Sequence, residues 1–331
     1  MSASFLKIDN LRVHFPVSGG WLKATRRLKA VDGVSLEIAR GEALGIVGES
    51  GCGKSTLARA ILKLVDVTAG QVVWLGKPIE SLSTRQMRPL RDSMQIVFQD
   101  PLASLNPRMT VGEIVSEPLR VHRPHLTRAQ RKAEVGQMLE RVGLSRDQIN
   151  RYPHEFSGGQ CQRIGIARAM ILQPKLLVCD EPVSALDVSI QAQIINLLEG
   201  LKRESGTSIL FVSHNLAVVR RLCERVLVLY LGKTMEVAPS DELFRAARHP
   251  YTLGLLASVP IPDPDVQPAR LEIALSGELP SPLSPPSGCV FRTRCKFAIE
   301  RCATQVPVLE SASERSQVAC HRWRELRENA G

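Results

Sequence analysis

An eight-residue run, Gly48-Glu-Ser-Gly-Cys-Gly-Lys-Ser55, narrows the possible folds of this 331-residue chain sharply. It fits the pattern G-x-x-x-x-G-K-[ST], and it lies between a strand-like apolar stretch, Ala43–Val47, and an apolar stretch of helical character, roughly Thr56–Val65. Glycine tolerates the backbone angles that turn the N–H groups of Gly51, Gly53 and Lys54 inward around an anion, and a helix start adds partial positive charge there. The loop residues Gly48, Glu49, Ser50, Gly51, Cys52, Gly53, Lys54, Ser55 and Thr56 are therefore expected to bind a nucleoside triphosphate. Lys54 would neutralise the β- and γ-phosphates, and the Ser55 hydroxyl would ligate Mg²⁺.

A second element supports that reading. Leu176-Leu-Val-Cys-Asp180-Glu181 is an apolar strand ending in two adjacent acids, which strand alternation points in different directions. Taken alone, this is equally a plain strand-end turn. Downstream of a phosphate loop, Asp180 is expected to hold Mg²⁺ directly or through water, and Glu181 to polarise the attacking water as general base.

The rest of the chain reads as a wound α/β nucleotide-binding fold with an inserted helical arm. Phe5–Phe15 alternates apolar and polar residues, as a half-buried strand does, and Val34–Ile38 leads through an Arg40-Gly41 turn into the strand before the loop. Met94–Phe98 is a further strand. Val111–Val142 has helical periodicity interrupted by Pro118 and Pro124, and a helix is expected from Ser157 to about Leu172. The short apolar runs Leu176–Cys179, Ile209–Val212 and Val226–Leu229 suit parallel strands buried on both faces. A basic insertion, Pro16–Lys29, and a Pro- and Ser-rich connection, Pro260–Pro286, lie outside this pattern.

Phe156-Ser-Gly-Gly-Gln160 separates this chain from other phosphate-loop proteins. It resembles the Leu-Ser-Gly-Gly-Gln signature of the ABC ATPases, with Phe156 in place of the usual leucine and Cys161 where a polar or basic residue is common. The resemblance implies an ABC-type nucleotide-binding domain with a mixed sheet core, spanning 1–240, and a helical subdomain at about 103–170. It implies that Ser157, Gly158, Gly159 and Gln160 close on the γ-phosphate held by a second cassette. Gln99 resembles the Q-loop glutamine, which senses Mg²⁺ and water, Asp187 the D-loop aspartate, and His214 the switch histidine. Phe15 is the candidate to stack on adenine, with a core role as the alternative.

The chain then continues through Arg248-His-Pro-Tyr-Thr252 and Gly288-Cys-Val-Phe-Arg-Thr-Arg-Cys295, which resembles the C-terminal extension, 241–331, of the dipeptide and oligopeptide importer cassettes. That likeness implies an ATPase powering peptide import, with nickel or another small solute as the competing cargo. Its implied partners are a second cassette, two membrane permease subunits and a periplasmic or extracellular solute-binding protein. Four of the eight cysteines, Cys289, Cys295, Cys302 and Cys320, fall in this extension. Four thiolates suit either a [4Fe–4S] cluster or tetrahedral zinc, and free thiols are the third possibility. The family likeness implies the cluster.

No apolar stretch approaches the roughly 20 residues of a spanning helix, and Met1–Asn10 lacks the pattern of a signal peptide, so a peripheral place on the cytoplasmic face of the membrane is expected. The net charge of +10 leaves open a soluble ABC-type ATPase acting on nucleic acid or ribosomes. Its Lys and Arg residues form no dense block, however, and no long coiled coil separates Lys54 from Ser157. No nucleic-acid partner is expected.

Overall fold

The computed structural model describes residues 5–17, 26–258, 275 and 277–328, which divide into two compact units. One comprises residues 1–37, 44–80 and 214–331, the other residues 38–43 and 81–213.

In the first unit, β1 (Leu6–Val17), β2 (Arg26–Ile38), β4 (Ala69–Trp74) and β5 (Lys77–Pro78) form a sheet in the order β2-β1-β4-β5. The buried residues of β1 change parity partway, from Leu6 and Ile8 to Leu11 and Val13. A bulge explains this: the β1–β4 register slips between Asp9 and Arg12, and Asn10 takes a φ of 46°. A second sheet follows the order β11-β12-β10-β9-β3, with β3 (Ala43–Val47) parallel to β9 (Arg225–Tyr230) and β9 antiparallel to β10 (Lys233–Pro239). It is therefore a mixed sheet. The β9–β10 hairpin turns on Leu231 and Gly232, both at positive φ (44° and 73°), which suits the right-handed twist of the flanking strands. Two short strands of the extension, β11 (Glu310–Ser311) and β12 (Gln317–Val318), continue the sheet, with Val318 opposite Glu236.

Helices frame this unit, among them α7 (Leu216–Leu222). α1 (Lys54–Ile61) follows the phosphate loop, and Lys63 at φ 51° lies just beyond its end, so the expected run to Val65 stops short. α8 (Ser240–Ala246) and α9 (Pro250–Ala257) begin the extension. Glu236, 1% exposed on β10, accepts the N–H groups of Arg248 (2.9 Å) and His249 (3.0 Å), which fastens the start of α9 to the sheet.

The second unit contains the short helix α2 (Thr84–Met87) and the parallel strands β6 (Met94–Val97), β7 (Leu176–Asp180) and β8 (Ser208–Ser213). β7 and β8 are buried along their whole length, as their unbroken apolar runs require. The helical arm is α3 (Val111–His122), α4 (Arg128–Arg141) and α5 (Gly158–Met170), each opened by a reciprocal capping box: Thr110 with Glu113, Thr127 with Gln130, Ser157 with Gln160. Pro118 sits inside α3 without ending it; the helix stops at His122, just before Arg123-Pro124. α6 (Val188–Ser205) closes on Gly206 in the left-handed conformation.

Residues 26–29 of the basic insertion belong to β2, and residues 18–25 lie outside the described residues. So do residues 260–274 and 276 of the Pro-rich connection.

Candidate functional site

The phosphate loop leaves β3 at Val47 and enters α1 at Lys54, the strand-to-helix setting its spacing predicts. Gly53 stands at the helix start with φ 104°, and a Cβ there would run into the backbone carbonyl of Ala30. Only glycine fits that bend. Lys54 is 4% exposed, and its ammonium donates to the carbonyls of Gly48 and Glu49, both at 2.9 Å. The chain returns to the loop further on: Gly232 N–H donates to the carbonyl of Cys52 (2.8 Å), and Asp32 N–H to that of Gly232 (2.8 Å). Burial pushes the Cys52 thiol up to about 11, so it stays neutral.

Glu49 is tethered through both its backbone and its side chain. Its N–H donates to the Tyr251 hydroxyl at 2.9 Å, and its carboxylate takes both arms of the Arg294 guanidinium at 2.6 and 3.0 Å. Neither Tyr251 nor Arg294 was among the residues assigned to the site from sequence. Both lie in stretches quoted there only as likeness, and no spacing rule links them to the loop.

In the second unit, Asp180 ends β7 fully buried, and Glu181 follows it at φ 48°. A non-glycine residue in that region is uncommon and marks a turn held by its surroundings. Here Glu181 N–H donates to Val212 on β8 (3.0 Å), and its carbonyl accepts from Ser184 N–H (3.3 Å) and Ser184 Oγ (3.1 Å). The Gln99 amide donates to the Glu181 carboxylate at 3.1 Å. Two residues 82 positions apart, singled out separately in the sequence, thus meet.

Ser157 caps α5: its hydroxyl accepts from Gln160 N–H at 3.4 Å, and Gln160 Oε1 accepts from Ser157 N–H at 3.0 Å. Ser157 and Gly158 are exposed at this helix start, while Gly159 packs so closely on Ile190 of α6 that a Cβ would come within 2.6 Å of it. Asp187 is exposed at the N-terminus of α6, beside Val188, which is 83% exposed. His214 directly follows β8 and is exposed. Phe15 is half-buried near the end of β1, outside the core.

The four cysteines of the extension all line one cavity of about 20 Å³, with His249, Phe291 and Arg322 among its other walls. That is room for one water-sized group. No group of three or more His, Cys, Asp or Glu side chains that could hold a metal ion occurs among the described residues. Burial pushes the thiols of Cys289 and Cys320 up, to about 11 and about 12, and raises that of Cys295. The expected [4Fe–4S] centre therefore finds the right residue types but no support in their geometry, and the same holds for zinc. The cysteines read as ordinary buried and half-buried thiols.

Comparison with known proteins decides the family. The ABC transporter family model matches residues 31–184, and that of the oligopeptide/dipeptide transporter C-terminal region matches residues 235–302. The chain is 56% identical over 318 residues to the oligopeptide transport ATP-binding protein OppF of Escherichia coli (strain K12), covering 95% of each. It is 57% identical over 318 residues, again 95% of each, to the protein of the same name from Salmonella typhimurium. The chain belongs to the ATP-binding subunits of the peptide ABC transporters. Among solved structures, the ATP-binding cassette MJ0796, in a dimeric post-hydrolysis state bound to ADP and Pi, matches with a TM-score of 0.65 and 29% identity, over 71% of this chain and 98% of that one. The cassette fold, with its mixed sheet and helices, and ATPase activity follow from that membership. Like a cassette subunit, the chain has no helix among its described residues long and apolar enough to cross a membrane.

Proposed function

We propose that this cassette hydrolyses ATP to drive uptake of oligopeptides through separate membrane subunits. The observation that carries the reading is the Glu181 carboxylate, fixed after buried Asp180 by a left-handed turn and hydrogen-bonded by Gln99. The relatives named for oligopeptide transport support the cargo class.

In this reading the inward N–H groups of Gly51, Gly53 and Lys54 and the Lys54 ammonium hold the phosphates. Ser55 and Asp180, with Gln99, would hold Mg²⁺, which when bound neutralises charge on the β- and γ-oxygens. Glu181 orients and deprotonates water, and His214 contacts the γ-phosphate from the end of β8. Phe15, half-buried, offers its ring face to adenine. The exposed N-terminus of α5, with Ser157 to Gln160, is shaped for an anion brought by a second cassette, and Asp187 would face that partner. The dimeric form of the related cassette supports this pairing. Two permease subunits and a solute-binding protein complete the proposed importer, with this chain peripheral on the cytoplasmic face. We take 1–240 as the ATPase domain and 241–331 as the importer-type extension.

Glu181→Gln is expected to lower the ATPase rate about 100-fold or more while keeping ATP bound and cassettes paired. Steady-state turnover and size-exclusion with ATP check this, and brisk turnover by the variant would remove Glu181 as general base. A second reading concerns the extension, whose four cysteines line one cavity and supply the ligand types of a thiolate-bound metal, iron–sulfur or zinc, although they form no metal-holding group among the described residues. Anaerobic purification with iron, sulfide and zinc analysis tests it; a metal-free protein in which Cys289, Cys295, Cys302 and Cys320 are all labelled as free thiols would end it.

A further inference from the structure

The pattern G-x-x-x-x-G-K-[ST] leaves its second position free, yet this chain holds Glu49 by three different groups. Its N–H goes to the Tyr251 hydroxyl at 2.9 Å, its C=O to the Lys54 ammonium at 2.9 Å, and its carboxylate to the Arg294 fork at 2.6 and 3.0 Å. Tyr251 lies on α9 and Arg294 immediately before Cys295, so two of the three holds come from the extension.

These holds are built to be stiff. Tyr251 is fully buried and the Arg294 side chain is 5% exposed. Arg294 lies 5.9 Å from the centroid of the Tyr230 ring, and Tyr230 packs edge-on against Tyr251 (4.7 Å) and Phe291 (5.3 Å). Phe291 in turn packs on Tyr251 at 5.3 Å, and it sits between Cys289 and Arg294. The aromatic cluster restrains the rotamers of both holding side chains, and the planar bidentate pair fixes the carboxylate in orientation as well as position.

A phosphate loop binds by the direction of its backbone N–H groups, so a residue anchored at N–H, C=O and side chain fixes the peptide planes on either side of it. Resting on the ATPase reading above, we propose that Arg294 and Tyr251 are positioning residues for ATP: the C-terminal extension braces Glu49 and so holds the phosphate loop in its nucleotide-accepting curve. The extension then acts on nucleotide affinity through the loop, without touching the reacting atoms.

The test uses the full-length chain and Mg-ATP. Arg294→Met and Glu49→Gln should each raise the KM and Kd for ATP about tenfold with kcat within about twofold, and the double variant should be no worse than either single, because both break the same pair. Arg294→Lys, which keeps the charge but loses the fork, should fall between wild type and Arg294→Met. Tyr251→Phe keeps the ring packing and removes only the acceptor, so it should raise KM even if Arg294→Met folds poorly. Unchanged ATP affinity in Tyr251→Phe and Glu49→Gln, additive effects in the double variant, or a fall in kcat at constant KM would each overturn the brace. Lys54→Ala separates the two readings. If it abolishes ATP binding while the Glu49, Arg294 and Tyr251 variants bind normally, the brace falls and the ATPase stands; if Lys54→Ala binds ATP normally, the ATPase reading itself falls.

Discussion

Glu181 and Gly53 hold backbone conformations that most residues avoid, and both border the reacting centre proposed here. Their constraints differ. Glu181 is kept left-handed by Val212 and Ser184, so a glutamine there should fold as wild type does, whereas Gly53→Ala must displace the Ala30 carbonyl and abandon φ 104°. Gly53→Ala is expected to lose about tenfold or more in ATP affinity, measured by calorimetry. Asp32, whose N–H supports Gly232 behind the loop, gives a test in pH. Burial pushes its carboxyl up, but Lys233, Lys29 and His14 beside it outweigh this and hold it below the usual 3.8. A carboxyl lowered in the fold adds stability that is fully present above the unfolded value and is lost as pH falls from there through the lower, folded value. Asp32→Asn should therefore unfold at lower temperature than wild type at pH 7, with the gap closing below about pH 4. A gap that persists undiminished well below that acidity would exclude the ion pairs as its source.

The strands and helices show which parts of the fold a linear reading can reach. β7, β8 and β9 follow directly from continuous apolar runs, since strands buried on both faces have no alternation to misplace. The Ser157 helix start was equally legible, because Ser followed three residues later by Gln is a capping pattern as well as part of the signature. By contrast, β4 and β10 were not singled out, and α1 ends earlier than its apolar composition suggested, at a turn that involves Lys63. Pro118 misled in the other direction: it interrupts the periodicity, yet α3 accommodates it. Ser157→Ala removes one side of the capping box and should cost about 1 kcal/mol, read as a lowered urea midpoint at constant slope. A midpoint equal to wild type would show that α5 is held by its tertiary packing without help from the cap.

Viewed whole, the extension grows out of the same sheet that carries the phosphate loop. β12 covers the edge of β10, and buried Glu236 ties β10 to the start of α9. Ending the chain at residue 240 would expose that strand edge and leave a buried carboxylate without its N–H donors. The shortened chain is expected to elute as aggregate in size-exclusion, and a monodisperse, ATP-binding product would count against the extension as part of the fold. Much of the proposed catalytic set was readable in order along the sequence, because each motif carries its own local chemistry. The Glu49 contacts were not, since they join residues 202 and 245 positions apart and obey no spacing.

That separation also sets a timetable for biosynthesis. Glu49 emerges from the ribosome early, and its guanidinium partner follows 245 residues later. At the usual pace of translation this interval is roughly 10 to 50 s. During it the nascent nucleotide cradle lacks its last clasp, so the cassette matures from its tail inward, and a stalled or prematurely terminated chain would be left with an unfinished cradle.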